Sequence, residues 1–475
     1  MQLVPKTSND GSATVCTPLA DALIKLRKRT SVSFHALPVA SGASISGCKF
    51  QEKYHELFGE EFIDSEMTIT GKQFDSFFFP ETVIKEAEQL AATIYGADGT
   101  LFGTTGTSVS NQIAVHALHQ PRGRVLLDKG CHQSLHFALH ALGARVDYLC
   151  PSQACDDSGK SYWDLENLLN TVLSAQHDGD PYHLIVMNAH SYDGVIYDIP
   201  GIIGYLLSHG IETRKFLVDE AWGAANYFHE ELKRYTAMNI TPLLQCFPDL
   251  NMVATQSAHK SLSCLRQASM IHFRGSNDLP ERLRVARFRI HTTSPSYPIL
   301  ASLDLGRAQI QSVGQQLMQQ ATMLAKKFCE TINSDPALSN YRINSFSLPE
   351  RPFSYVNSDP TKISLNIAWL GVAASEVREI LYSRYGIYIN RMTGNSILLN
   401  FHIGIAQRAV DLLLDGLREI QRDLTPSWQI QTQAESFIIP YPPGVPLVVP
   451  GDPVTDLVYK KICDIQRAGV RVFTA

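Results

Sequence analysis

The sequence predicts an α/β protein with a mainly parallel central sheet in a large domain, followed by a smaller C-terminal α/β domain. Three observations predict it. First, five short apolar runs, at residues 124–127, 145–149, 184–187, 216–218 and 252–254, are separated by segments of helical periodicity. Runs without polar alternation are strands buried on both faces, and the intervening helices supply the covering layers. Second, polar clusters follow four of the runs: Cys131-His-Gln-Ser, Asn188-Ala-His-Ser-Tyr-Asp-Gly, Asp219-Glu-Ala-Trp and Ser257-Ala-His-Lys. Ligands of such sheets bind beyond the carboxyl ends of the strands, so four clusters on one edge mark a site. Third, a chain of 475 residues that is 44% hydrophobic and 18% charged has the apolar material for a large core and the length for two to three domains. The expected division is an N-terminal arm and helix over residues 1–70, a large domain over 71–333 and a small one over 334–475.

Taken in order, the chain opens polar and turn-like. An amphipathic helix follows before residue 30, with Leu19, Leu23 and Leu26 on one face and the cationic run 25–29 at its end, where the helix dipole favours positive charge. Residues 34–44 hold too many small side chains for a regular element and suit an arm laid across another surface. The run Phe74, Phe77, Phe78 and Phe79 reads as core packing. A helix is predicted over residues 81–95, with Ile84, Ala87, Leu90, Ala91 and Ile94 on one face and Gly96 as its C-terminal cap. Residues 101–111, Leu-Phe-Gly-Thr-Thr-Gly-Thr-Ser-Val-Ser-Asn, then lead into a second helical pattern. A Gly/Thr/Ser loop opening a helix points hydroxyls and free N–H groups at one place, where the dipole favours an anion; simple capping is the competing role. Beyond the strand region come a hydroxyl-rich loop at residues 291–298, a long helix over 299–332 and a connection over 334–360. The small domain is expected to hold strands at 362–369, 386–390 and 397–401 and helices at 374–385 and 406–417. Residues 441–452 are too proline-rich for a helix.

The net charge of −5 and a sequence pI near 6.3 give no basic field, which argues against nucleic acid and anionic lipid as partners. Nine cysteines, odd in number and without a Cys-x-x-Cys pair, fit neither a disulfide framework nor a zinc site and suit a reducing compartment. The N-terminus lacks the apolar core of a signal peptide and no run reaches the length of a membrane span, so the expected location is the cytoplasm.

Chemistry centres on Lys260, which follows an apolar strand and is flanked by small and apolar residues. Burial disfavours the ammonium form and frees the amine as a nucleophile that forms Schiff bases with aldehydes; snorkelling to solvent is the competing role. An aldehyde cofactor that also carries a phosphate, pyridoxal phosphate, accounts for the rest of the pattern. Its ring nitrogen needs a carboxylate partner, and Asp219 at the end of an apolar run is placed for that. His132 suits stacking on the ring. Thr107, Ser108, Ser257 and His259 suit the phosphate, each against an ordinary role as a turn, cap or surface group. Two phosphate-friendly segments flanking one lysine make coincidence a poor explanation.

These residues carry a resemblance. Asp219-Glu-Ala-Trp-Gly-Ala, Thr255-Gln-Ser-Ala-His-Lys-Ser-Leu and Gln267-Ala-Ser-Met-Ile-His resemble the bacterial ornithine/lysine/arginine decarboxylases, PLP enzymes of the aspartate-aminotransferase fold (fold type I). Phe34-His-Ala-Leu-Pro-Val, Ile84-Lys-Glu-Ala, Gly106-Thr-Ser-Val-Ser-Asn, Cys131-His-Gln-Ser, Tyr192-Asp-Gly, His291-Thr-Thr-Ser-Pro-Ser-Tyr and Tyr441-Pro-Pro-Gly-Val-Pro-Leu extend it over most of the chain. The resemblance implies α-decarboxylation of an amino acid, a basic one first. Lys260 would join the cofactor, Asp219 pair with the pyridinium and His132 stack on the ring. Thr107, Ser108, Ser257 and His259 would bind the phosphate, and Ala221 and Trp222 would lie beside the ring. The site would form at a homodimer interface, with the loop at Ser294 reaching the partner. The chain is short for the N-terminal wing domain of the large members, which makes a dimer or a small multiple of one the expectation. Two departures bear on the substrate. Gln133 stands where the family has lysine after the stacking histidine, and Asn390-Arg-Met-Thr-Gly stands where it has Glu-Lys-Thr-Gly. Asn390 cannot supply the acidic charge that helps hold a distal cation, and Arg391 suits a carboxylate. Cyclisation, elimination or replacement on an amino acid is the alternative these departures raise.

Overall fold

A computed structural model of the chain describes residues 15–474 apart from residues 30–31, 33, 72–73, 152–159, 346–351, 394, 425–433, 442–445, 453, 455 and 468–469. It divides into two compact units. One comprises the described parts of residues 1–152, 162–319 and 349–357, and the other those of 153–161, 320–348 and 358–475.

The first unit begins with helices α1 (Pro18–Arg29), α2 (Gln51–Phe58) and α3 (Glu60–Ser65). The Asp304 carboxylate, buried beside Arg307, accepts the Leu19 and Ala20 N–H groups that the first turn of α1 leaves without partners. Helix α4 spans Val83–Tyr95 and ends on the Gly96 cap. It starts two residues later than its periodicity predicts. The Asp75 carboxylate takes the N–H groups of Glu81, Thr82 and Ile84, which fixes the entry of the chain and holds residues 81–82 outside the helix.

The central sheet is then laid down between helices. In chain order come β1 (Gly99–Gly103), α5 (Thr107–Leu118), β2 (Arg124–Asp128), α6 (Gln133–Ala141), β3 (Arg145–Leu149), α7 (Leu165–His177), β4 (Tyr182–Asn188), β5 (Val195–Tyr197), α8 (Ile199–Ser208), β6 (Lys215–Asp219), α9 (Thr241–Cys246), β7 (Asn251–Gln256), α10 (Ala258–Ser261), β8 (Ser269–Arg274), α11 (Leu279–Ile290) and the long α12 (Tyr297–Ser334). Seven strands form one sheet in the order β1-β8-β7-β6-β4-β2-β3, and β5 lies apart from it. The pairs β7–β6, β6–β4, β4–β2 and β2–β3 are parallel, while β8 runs antiparallel to both neighbours. All five apolar runs are strands of this sheet, so the mainly parallel α/β fold stands. One core buries Val125, Leu127, Leu184, Val186, Leu217 and Val253 against helices α5, α6 and α11.

The second unit holds a four-stranded antiparallel sheet. Its strands are β9 (Arg342–Ile343), β11 (Lys362–Asn366), β12 (Arg391–Thr393) and β13 (Ser396–Asn400), in the order β12-β13-β11-β9; β10 (Val356–Ser358) begins in the first unit, where it pairs with β5. Helices α13 (Ala374–Tyr385) and α14 (Gln407–Leu424) cover it, burying Val377, Leu381, Leu414 and Leu417. A short pair, β14 (Ile438–Tyr441) and β15 (Arg471–Thr474), and helix α15 (Asp456–Arg467) complete it. The strand expected at 386–390 does not form. Gly386 caps α13 in the left-handed conformation and Ile387 N–H returns to Leu381 O, so the backbone is still closing the helix where a strand was expected. The strand expected at 362–369 ends at Asn366, whose side chain accepts the Ala368 N–H and starts a tight turn. Of the proline-rich stretch, residues 442–445 lie outside the described residues. No helix among the described residues is long and apolar enough to cross a membrane.

Candidate active site

At the carboxyl edge of the first unit's sheet, a cavity of about 310 Å³ is lined by Thr107, Ser108, Asn111, His132, Asp219, Ala221, Ser257, His259 and Lys260, with Thr105, Gly106, Arg266 and Gln267 completing it. Each side chain arrives by a short route from a strand end. Strand β7 is buried along its whole length and delivers Ser257, His259 and Lys260 in the turn that follows. Strand β6 ends on Asp219, and the loop after β2 brings His132 to the N-cap of α6.

Lys260 is the cation at the centre. Burial lowers the pKa of its amine, opposed by the negative charge of Asp219. Its Nζ lies 4.2 Å from the Trp222 ring centroid, and Trp222 is held edge-on by Tyr192. Asp219 is buried, and burial raises its pKa against two hydrogen bonds: Ala221 N–H to Oδ1 and Asn111 Nδ2 to Oδ2, both 3.0 Å. It makes no ion pair among the described residues, so its anionic form awaits a cation. A protonated ring nitrogen is such a cation.

The two segments expected to share an anion do converge. Thr107 Oγ1 and Ser257 Oγ are 2.6 Å apart, although 150 residues separate them. Gly106, with φ 79° and ψ 164°, turns the chain into α5 without a side-chain cap, so the first N–H groups of that helix face the cavity. Its own N–H bonds Gln267 O, tying the loop to the segment after Lys260. His259 donates Nδ1–H to Ala268 O, which leaves Nε2 as its second ring nitrogen; burial lowers its pKa.

Of the residues expected from the sequence, Thr107, Ser108, His132, Asp219, Ala221, Ser257, His259 and Lys260 share this cavity, and Trp222 contacts Lys260. Ser294 does not line it. It lies in the exposed loop after α11, where its N–H bonds Thr292 Oγ1. Asn390 and Arg391 belong to the second unit: Asn390 accepts from the Tyr388 hydroxyl and Arg391 opens β12. Asn111, Arg266 and Gln267 were missed. Asn111 was legible, because it follows Thr107 by four residues and so shares its helix face. Arg266 and Gln267 carried no such signal; they reach the cavity through the turn after Lys260, where Gln267 adopts φ 75°.

The family profile described as Orn/Lys/Arg decarboxylase, major domain, matches residues 17–409. The chain belongs to this family. A relative in it, an arginine decarboxylase of Bacillus subtilis, is 27% identical over 93% of this chain and 91% of its own length. A lysine decarboxylase of Pseudomonas aeruginosa is also 27% identical, over 88% of this chain and 61% of its own length. Among solved structures, the Francisella novicida lysine decarboxylase superposes with a TM-score of 0.74 at 18% identity, covering 96% of this chain and 79% of that one. The fold is that of the PLP-dependent fold type I enzymes, as the family resemblance implied.

Proposed function

We propose that the chain is a pyridoxal-phosphate-dependent α-decarboxylase that converts a basic amino acid to the corresponding amine and carbon dioxide. One observation carries this reading: an amine of lowered pKa, a buried carboxylate with no ion pair among the described residues and a hydroxyl-lined helix N-terminus surround one cavity. The donor set fits the cofactor at each end. The hydroxyls of Thr107, Ser108 and Ser257 and the first N–H groups of α5 would hold the phosphate, Asp219 the ring nitrogen, His132 a ring face and Lys260 the aldehyde carbon. Pyridoxal phosphate supplies, when bound there, an electron sink for the pair left at Cα as carbon dioxide departs.

The chain's own residues do the rest. Asp219, whose carboxylate accepts from Ala221 N–H and Asn111 Nδ2, would pair with the ring nitrogen and favour its protonated form. The Lys260 amine lines the cavity and would be the group to hold the cofactor and to supply a proton at the substrate's Cα. Phosphate at His259 Nε2 requires that nitrogen to take up a proton, because Nδ1–H is committed to Ala268. Relatives named for arginine and for lysine support a substrate with a distal cation. We also infer a homodimer that shares its active sites, in a cytoplasmic setting.

The test is an endpoint assay of purified protein with PLP against arginine, lysine, ornithine and a wider amino-acid panel, following carbon dioxide and product mass together. Carbon dioxide with a matching amine is expected, and Lys260→Ala should abolish both. A new product without carbon dioxide would overturn the decarboxylase and favour cyclisation, elimination or replacement.

A further inference from the structure

Behind the cavity wall, the Asn111 side-chain amide makes three hydrogen bonds, one at Oδ1 and two at Nδ2. Its Oδ1 accepts from Thr255 Oγ1 at 2.5 Å, while Nδ2 donates to Asp219 Oδ2 and to Ser134 Oγ, both at 3.0 Å. Asn111, Thr255, Ser134 and Asp219 are all buried. The Asp219 carboxylate accepts only, so it fixes which way the amide points. With Nδ2 donating to Ser134 Oγ, the serine hydroxyl hydrogen is left for His132 Nδ1, 2.9 Å away. The Ser134 backbone N–H also points at that nitrogen, at 3.3 Å. A nitrogen that receives two donors carries no proton of its own, so the His132 proton sits on Nε2.

We propose that Asn111 is a positioning residue: its amide clamps Asp219 and, through the Ser134 hydroxyl, holds His132 in the Nε2–H tautomer. The proposal deepens the decarboxylase reading and, for the cofactor, rests on it. It ties together the two groups that would meet the ring at its nitrogen and on its face. Thr255 sets the arrangement from the far end. Its hydroxyl gives Asn111 Oδ1 a partner and so reinforces the orientation that Asp219 imposes on the amide.

Three variants act on the same network by different means. Ser134→Ala removes the hydroxyl. Asn111→Asp keeps the shape but makes residue 111 an acceptor, which redirects the Ser134 hydroxyl. Thr255→Val keeps the shape and removes the partner of Asn111 Oδ1. Histidine-selective ¹⁵N labelling of the cofactor-free protein reports the tautomer, with His132→Gln assigning the ring. The wild type should show the proton on Nε2, Ser134→Ala and Asn111→Asp should each show a mixture of tautomers, and Thr255→Val, with Asp219 still orienting the amide, should keep Nε2–H. In PLP titrations, Asn111→Asp and Thr255→Val should bind about ten- to a hundredfold more weakly than the wild type. Ser110→Ala is the control for damage to α5, since Ser110 bonds Ser269 rather than the cavity; it should leave both readouts unchanged. A wild-type His132 with its proton on Nδ1, or Nε2–H retained in both Ser134→Ala and Asn111→Asp, overturns the proposal. If the wild type binds no PLP, the decarboxylase reading fails while the tautomer measurement still decides the role of Asn111.

Discussion

Asp219 and Glu220 are neighbours in sequence and both are buried, but only Asp219 lines the cavity. Glu220 turns the other way. It accepts from Ala237 N–H at 2.6 Å and from Gln256 Nε2 at 3.0 Å, Gln256 Oε1 meets His272 Nε2, and His272 Nδ1 meets Thr100 Oγ1. Burial, with the charge of Asp219, pushes the Glu220 carboxyl up to about 7, and burial takes His272 down to about 3. The sign of the effect on stability follows. The folded protein holds a proton on Glu220 that the unfolded chain gives up near 4.5, so the folded state binds more protons between those values and loses stability as pH rises from 4.5 through about 7. The loss for this group is on the order of 3 kcal/mol. Asp128, raised by burial to about 6, acts in the same direction. Buried His272 and half-buried His183, both lowered, act in the opposite direction below their ordinary value of 6.5. The Glu220 share, a fall between pH 5 and pH 8, is therefore read as the difference in urea midpoint between a Glu220 variant and the wild type in the cofactor-free protein. Glu220→Gln should flatten part of that fall, because the neighbouring Gln256 amide, the His272 tautomer and the Thr100 hydroxyl can all reverse to match a neutral amide. An equal offset between variant and wild type at both pH values would show that Glu220 does not titrate there. In the cavity itself, Asp219→Asn should retain some cofactor but lose about a hundred- to a thousandfold in rate, the usual cost of removing a charge-stabilising group; an unchanged rate would remove Asp219 from its role.

At the scale of elements, the decisive one is the turn into α5. Gly106 sits in a backbone region that side-chain-bearing residues avoid, and a Cβ there would touch nothing within 4 Å. The cost of Gly106→Ala is thus backbone strain alone, about 1–3 kcal/mol, and its relief would pull Thr107 and Ser108 out of place. Gly143, at the end of α6, also has positive φ and open space around it. Both alanine variants should lower stability, and only Gly106→Ala should weaken PLP binding as well; equal affinity in the two would deny the loop its anion. This turn was legible in the sequence because its chemistry is local: glycine, hydroxyls and a helix start lie side by side. The five apolar strands were legible because burial on both faces leaves no polar alternation. Strands β1 and β8 were not. They bury Thr100, Ser269 and His272, which are satisfied only once the fold pairs Thr100 with His272, Ser269 with Ser110 and Gly103, and His272 with Gln256. The same reason hid Ser134 and Thr255 as partners of Asn111: each is an ordinary hydroxyl until the fold places it. Asp75 shifted the start of α4 through a loop that reads in sequence only as part of an aromatic run.

For the whole molecule, the surface of the first unit carries an aromatic ladder that is exposed among the described residues. Helix α2 buries none of its residues. Phe50, Tyr54, Leu57, Phe58 and Phe62 are exposed along α2 and α3, with Tyr54–Phe58 and Phe58–Phe62 ring centroids each 6.3 Å apart. Leu57 is 76% exposed and Phe58 51%. Burying such a side chain fully contributes about 1.5–3 kcal/mol, so leaving several in water is a standing drive towards association. A twofold axis through it would set apolar residues against their copies, which is how a self-complementary interface works. The expected occupant is a second copy of this chain. Sedimentation velocity of the purified protein should give a dimer near twice 52.7 kDa. Leu57→Glu with Phe58→Glu should shift it to monomer at micromolar concentration, since two buried charges per subunit would face their own copies. If the double variant remains a dimer with unchanged affinity, the ladder lies outside the interface and the homodimer forms through another face.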